Sequence, residues 1–207
     1  MTDRDPEVER AIREEVAIAP YDPRWPELFL AEKAQLEACL PPELLGRIEH
    51  FGSTAVPGLA AKPVIDMLVE VQDLTATRER IVPILRGQGY QYFWRPTHGD
   101  DGPPFYAWFI KRGPRGERTH HIHMVEPSFT EHWDRLLFRD LLRQDPAVAR
   151  GYERLKRDLA VHHSHDRVAY THGKSVFIHG AMARLTHTRS LVEDGTTIRN
   201  GIEPKEG

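Results

Sequence analysis

The sequence predicts a mixed α+β domain: a central mixed β-sheet covered by helices and closed by a C-terminal helical cap. Three observations predict it. Short apolar runs bounded by Gly and Pro at 47–51 and 63–71 read as strands. A second strand pair, 105–111 and 118–125, is joined through Gly113-Pro114-Arg115-Gly116, which makes a hairpin turn. From about 129 to 186 the apolar residues recur at the three-to-four spacing of amphipathic helices.

Taken in order, residues 1–15 form a polar extension with room for a helix after Asp5-Pro6 and no sign of a packed core. Residues 16–189 form one domain, and the Gly-bearing 190–207 predicts a frayed tail. Val16, Ile18 and Pro20 alternate with Ala17 and Ala19 as in a short strand, and Tyr21-Asp22-Pro23-Arg24-Trp25-Pro26 turns the chain. Capping and packing are the ordinary roles for Arg24 and Trp25. Leu28, Phe29, Leu36 and Leu40 mark a helix that stops before Pro41-Pro42. After the strand at 63–71, residues 73–86 form a helix with Ile81, Ile84 and Leu85 inward, ended by Gly87 and Gly89. A strand follows at 90–94, then a loop from Arg95 to Pro104 with His98, Asp100 and Asp101. Trp133, Leu136, Leu137, Leu141 and Leu142 give the next helix its inward face. Asp145-Pro146 opens another that runs to about His162. A last helix spans about 166–186, with Tyr170, Val176, Phe177 and Leu185 to pack.

Composition narrows the function. The chain has 207 residues, 40% hydrophobic and 29% charged, as in a globular protein with a real core. A net charge of −3 offers no general attraction to nucleic acid, whose phosphates call for a basic surface. No apolar stretch approaches a membrane span, and the N-terminus is charged where a signal peptide needs its apolar segment. These features predict a cytoplasmic protein. Cys39 is the single cysteine, which rules out an internal disulfide and a cysteine-rich zinc module and leaves a small core residue.

Chemistry concentrates in residues 47–71. Gly52 follows a strand and lets a phosphate approach the backbone, Ser53 and Thr54 add hydroxyls, and Lys62 adds charge. An ordinary turn has the same composition. Asp66 stands in an apolar strand, where a carboxylate needs a partner. In 118–125, alternation puts His121 and His123 on one face, where a neighbouring strand can bring Asp66. Two imidazoles and a carboxylate suit zinc, iron or manganese, either histidine suits general-base work, and both equally suit hydrogen-bonded strand positions. His50 stands to shape the Gly-Ser loop, while His162, His163 and His165 read as solvated at a helix end. Arg112, Arg115 and Arg118 read as a solvated charged turn.

The string His50-Phe51-Gly52-Ser53-Thr54-Ala55-Val56-Pro57-Gly58-Leu59 with Lys62-Pro63-Val64-Ile65-Asp66 resembles the GrpB family of bacterial proteins. Pro20 to Pro26, His121-Ile122-His123 and Phe138-Arg139-Asp140 extend the resemblance over roughly 16–185. It implies a nucleotidyltransferase-like fold of the polymerase-beta type, in which Gly-Ser holds nucleotide phosphates and strand carboxylates hold divalent metal. It also implies that Lys174 or His179 on the last helix faces the cleft, with Lys174 as a phosphate contact. The sequence departs from that pattern at Leu68, where a second acid belongs. The next acid on that face is Glu70, about 13 Å along the strand from Asp66.

Three functions follow from this. One is nucleotidyl transfer on a nucleotide or other phosphorylated small molecule with Mg2+ or Mn2+. Another is a non-catalytic ligand-binding or regulatory module. The third is a hydrolase built on Asp66, His121 and His123, with Zn2+ if the two-histidine site is real. GrpB-like segments also resemble a region joined to dephospho-CoA kinase in some bacteria, but the chain has no Gly-x-x-x-x-Gly-Lys-Ser/Thr loop.

Overall fold

The computed structural model describes residues 10, 14–96 and 104–193. Five strands form one mixed sheet: β1 (Leu45–Phe51), β2 (Ile65–Val71), β3 (Gln91–Pro96), β4 (Phe105–Arg112) and β5 (Arg118–Val125), in the order β1-β2-β5-β4-β3. β2 and β5 run parallel, and every other neighbouring pair is antiparallel. The helices are α1 (Trp25–Cys39), α2 over 74–87, α3 (Thr130–Gln144), α4 (Pro146–His162) and α5 (Arg167–Glu193). The expected α+β architecture is what forms.

The pleat sorts the sheet residues into two unlike faces. On one, Ile65, Met67, Val69, Phe109, Ile122 and Met124 are buried against Trp25, Leu36 and Leu40 of the α1 region and Leu74, Ile81 and Leu85 of α2. The other face carries Asp66, Leu68 and Glu70 of β2 beside His121 and His123 of β5, and Trp133 of α3 packs there on Phe51, Leu68 and Val125. A third apolar cluster joins Val56 and Leu59 of the loop after β1 to Phe138 and Leu142 of α3, Tyr152 of α4 and Ala181 of α5. The C-terminal helices thus form a cap seated on the Gly-Ser loop.

Several local expectations change. Residues 16–20 do not form a strand. Ala19 makes an isolated bridge to Ala61, and the Val16 amide bonds the Ser164 carbonyl, so two partners on different elements prevent a ladder. In α1 the inward stripe is Trp25, Glu32 and Leu36, which leaves Leu28 exposed. Glu32 is buried because Tyr90 donates its hydroxyl at 2.5 Å and Lys111 pairs with it. Leu137 and Val176 are also exposed, while their neighbours Phe138 and Phe177 pack inward. Asp145 caps α4 as expected, accepting from the Ala147 and Val148 amides. α5 runs through Glu193, past the expected boundary at 189. The loop residues His98, Asp100 and Asp101, and the tail from 194 onward, lie outside the described residues. No described helix is long and apolar enough to cross a membrane.

Candidate anion cleft

The site is built where β1 ends. Phe51 stands opposite Asp66, and the chain turns at Gly52 with φ +74°, ψ −172°, a conformation open essentially to glycine. A Cβ at Gly52 would lie 2.6 Å from Asp66 Oδ2, so glycine is what lets the loop pass directly against that carboxylate. The loop is clamped from outside by the helical cap. Arg139 of α3 donates to the His50 carbonyl at 2.9 Å, Arg143 to the Ala55 carbonyl at 2.8 and 3.0 Å, and the buried Lys156 of α4 to the Ala60 carbonyl.

The expected hydroxyls divide. Ser53 lies close enough to the Tyr152 hydroxyl to lower its pKa slightly against the effect of burial. Thr54 is buried: His50 Nε2 lies 3.0 Å from its Oγ1, which also donates to the Val64 carbonyl at 3.4 Å. The expectation that Thr54 offers a hydroxyl to a ligand is therefore replaced by a role in holding the loop. His50 shapes the loop as expected and stacks on Phe29, with ring centroids 4.8 Å apart.

Parallel register places Asp66 beside His121 and Leu68 beside His123. His121 Nδ1 lies 3.0 Å from Asp66 Oδ1, and Arg118 Nη1 lies 3.2 Å from His121 Nε2. Since Arg118 can only donate, the network assigns a neutral imidazole that accepts at Nε2 and donates from Nδ1 to an ionised Asp66. Burial pushes the His121 pKa down to about 4, which keeps the ring neutral at pH 7. Burial alone would raise the Asp66 carboxyl. The His121 hydrogen bond, with the nearby Lys62 and Lys174 charges, outweighs it and leaves the group below its ordinary value.

His123 is set apart. It sits among the rings of Phe51, Tyr106 and Trp108, stacked on Tyr106 at 5.2 Å, and burial drives its pKa well below 6.5. Glu70 does not supply the missing acid, because its carboxylate pairs with Arg47 at 3.1 Å. Among the described residues no group of three His, Cys, Asp or Glu side chains could hold a metal ion. Asp66 Oδ1 and both His121 nitrogens are engaged with each other and with Arg118.

What gathers around Asp66 instead is positive charge. Lys62 and Lys174, from opposite ends of the domain sequence, both feel its field, as do Arg135 of α3 and Arg167 of α5. Burial pushes Lys62 down to about 7, with Arg167, Lys174 and Arg118 adding to the effect and Asp66 opposing it. Lys174 falls to about 8 for the same reason, with Asp66 opposing and Arg135 and Arg167 adding. Tyr152 and Tyr170 line the same space, and burial raises both phenols. Sequence reasoning missed Arg135, Arg167, Tyr152 and Tyr170, which sit in helices where nothing in their spacing separates a cleft residue from a surface one. It also misread the hairpin arginines. Arg115 is solvated, but the Arg118 and Arg112 side chains are 3% and 12% exposed and both pair with Glu14, a residue assigned to the polar extension.

Comparison with known proteins agrees with this architecture. A UPF0157 protein of Pseudomonas aeruginosa is 40% identical over 192 residues, covering 91% of this chain and 75% of that protein. One from Halalkalibacterium halodurans is 35% identical over 174 residues, 84% of each chain. Dephospho-CoA kinase of Mycolicibacterium paratuberculosis is 28% identical over 191 residues, 83% of this chain but 46% of that enzyme. Among solved structures, the conserved protein GrpB from Enterococcus faecalis superposes with a TM-score of 0.67 at 34% identity, over 81% of this chain and 96% of that one. Cid1 poly(U) polymerase is far more distant, with a TM-score of 0.42 at 13% identity over 73% of this chain and 47% of that one, and no residue role carries over from it. The family model described as GrpB protein matches residues 15–184, and the chain therefore belongs to the GrpB family.

Proposed function

We propose that this protein binds a phosphorylated small molecule, a nucleotide or coenzyme-A precursor, by its phosphates in the cleft between the Gly52-Ser53 loop and α5. One observation carries the reading. Lys62 and Lys174 share one carboxylate, Asp66, and Arg135 and Arg167 add positive charge that Glu131 and Glu14 offset in part. Buried cations without matching anions are costly, and two of these are held near the point of losing their protons. A phosphate supplies the missing charge. In this reading Gly52 gives the ligand access to the backbone, Ser53 offers a hydroxyl, and Lys62 and Lys174 neutralise the phosphates. His121 holds Asp66 in place and has no free nitrogen for proton transfer. His123 belongs to the aromatic packing beside the cleft.

The reading favours a binding or regulatory module over the hydrolase, whose three ligands do not converge. Metal-dependent nucleotidyl transfer is the second reading, favoured by one observation: Asp66 is ionised and lies against Gly52. Asp66→Asn separates the two. Calorimetric titration of the wild type with ATP, CTP and dephospho-CoA, with and without Mg2+, Mn2+ or Zn2+, gives the reference. A metal-free phosphate site binds more tightly once the like charge of Asp66 is removed and loses affinity in Lys174→Gln. A site that needs Mg2+ and is abolished by Asp66→Asn would replace this reading with transfer. No binding of any phosphorylated ligand would remove both.

A further inference from the structure

Lys62 stands on a pinned stretch of the loop between β1 and β2. The Ala60 amide donates to Glu153 Oε2 at 3.3 Å, and the Ala60 carbonyl accepts from Lys156, both residues of α4. Ala61 exchanges two backbone hydrogen bonds with Ala19 at 2.9 and 3.0 Å, and the Val64 amide closes a tight turn on the Lys62 carbonyl at 2.7 Å. The side chain that rises from this fixed backbone is held differently. Every other lysine among the described residues has its amine in a contact: Lys33 with Glu37 at 3.9 Å, Lys111 with Glu32, Lys156 with the Ala60 carbonyl and Lys174 over the Tyr170 ring at 4.7 Å. The Lys62 amine has no hydrogen bond, ion pair or ring contact among the described residues.

An amine is a nucleophile only without its extra proton, and a lysine desolvated beside other cations supplies one at neutral pH. Lys62 is half-buried, so reagents reach it from solvent. Burial, with Arg167, Lys174 and Arg118 adding and Asp66 opposing, holds its pKa at about 7. Lys156 also falls to about 7, but it is 2% exposed and engaged by the Ala60 carbonyl, so no reagent reaches it. The cations beside Lys62 are those assigned above to phosphate. An electrophile that carries phosphate is therefore brought to an uncommitted amine. An acyl phosphate uses the cations twice, because they bind its phosphate and then stabilise the dianion that leaves.

We propose that Lys62 is a self-acylation site that takes its acyl group from acyl phosphates, the mixed anhydrides of a carboxylic acid and phosphoric acid, held in the cleft by their phosphate. This rests on the phosphate reading of the cleft. The unprotonated Nζ attacks the carbonyl carbon, a C–N bond forms, and the bond from that carbon to the bridging oxygen breaks. The proton lost from nitrogen leaves on the departing phosphate, so one amine and one acyl phosphate give one amide and one hydrogen phosphate, with no further reactant. The amide removes a positive charge from the cleft and places an acyl group in it, which weakens later phosphate binding. An acyl phosphate thus regulates covalently the site that its phosphate first occupies.

The test is incubation of the full wild-type chain with acetyl phosphate at neutral pH, followed by peptide mapping in a mass spectrometer with Lys33 as the internal reference. Lys62 should be acetylated at least about tenfold faster than Lys33, the factor that one unit of pKa supplies. Inorganic phosphate should slow the reaction at Lys62 and leave Lys33 unchanged, and the acetylated chain should bind pyrophosphate more weakly than the unmodified one. Equal rates at the two lysines overturn the proposal. So does an advantage of Lys62 that is just as large with p-nitrophenyl acetate, which carries no phosphate, because that result reports a reactive amine without recognition of the donor. Calorimetric titration of the unmodified chain with inorganic phosphate separates this inference from the reading beneath it. Phosphate binding with no preference for Lys62 overturns the acylation and leaves the cleft reading standing. No phosphate binding and no preference for Lys62 remove both.

Discussion

The two faces of the sheet share their strands and differ in almost everything else. The face toward α1 and α2 is filled by residues such as Met67, Val69, Phe109, Ile122 and Met124, all fully buried. It interacts with the rest of the molecule through non-directional apolar burial, which scales with area. The opposite face is apolar under α3 and around Phe93, Trp108 and Ile110. Toward the cap it carries Asp66 and His121 and meets lysines and arginines brought from two helices and a loop. The first face supplies stability, and the second spends some of it to hold charge in place.

Breaking the first face should give the largest effect. Phe109→Ala removes a fully buried ring from the centre of the sheet and should cost about 3–5 kcal/mol in urea unfolding. The pyrophosphate affinity of the remaining folded protein should stay unchanged. A loss below 1 kcal/mol would mean that the core is not where the fold is held. On the second face, Gly52→Ala should cost about 1–3 kcal/mol, because alanine does not tolerate that backbone and its Cβ meets Asp66 Oδ2. Unlike Phe109→Ala it should also weaken phosphate binding in the folded fraction. Retained binding would detach the loop from the site.

This contrast explains what the sequence reveals. Apolar strands, the hairpin and the amphipathic helices are local patterns, and each local choice agrees with the fold. Gly52, Ser53, Lys62 and Asp66 stand close together in one segment, so they too are visible, and the pairing of Asp66 with His121 follows once β2 and β5 are neighbours. The remaining cations are not visible, because Arg135, Arg167 and Lys174 approach Asp66 only through the packing of α3 and α5. Glu14 is harder still: its partners Arg112, Arg118 and Arg167 lie about a hundred residues away or more. The exposed positions of Leu28, Leu137 and Val176 show the same limit, since composition names apolar residues and only packing chooses among them.

Acid titration sharpens the comparison. Burial holds His50 and His121 at about 4, below the ordinary 6.5. Between those values the unfolded chain binds more protons than the folded one, so stability falls as pH drops from 6.5 toward 4. Each histidine contributes up to about 1.4 kcal/mol per pH unit in that window. The lysines act in the alkaline range with the same sign. Lys62 at about 7 and Lys174 at about 8 lie below the ordinary 10.5, so the ligand-free protein gains stability as pH rises above 7. Bound phosphate should oppose that alkaline gain by favouring the protonated lysines, and its affinity should fall above pH 8. Urea midpoints measured from pH 4 to 9 check both limbs. His121→Gln should flatten the acid limb, and an unchanged slope would remove His121 from the account.

The smallest effect is expected where the helical cap faces outward. Val176 is 83% exposed on α5, while its neighbour Phe177 packs on Tyr152 with ring centroids 5.5 Å apart. Their chemistry is similar, and one residue of helical rotation separates a side chain that contacts solvent from one that supports the Ser53 partner. Val176→Ser should therefore change stability by less than about 0.5 kcal/mol, the range usual for surface substitutions. Phe177→Ala should cost several times more and, by loosening Tyr152, reduce phosphate affinity as well. Thermal unfolding and phosphate titration of the two variants side by side measure the difference. A large loss in Val176→Ser would show that a partner covers this side of the cap in solution. A silent Phe177→Ala would show that Ser53 and Tyr152 are held from the β1 loop alone, without help from α5.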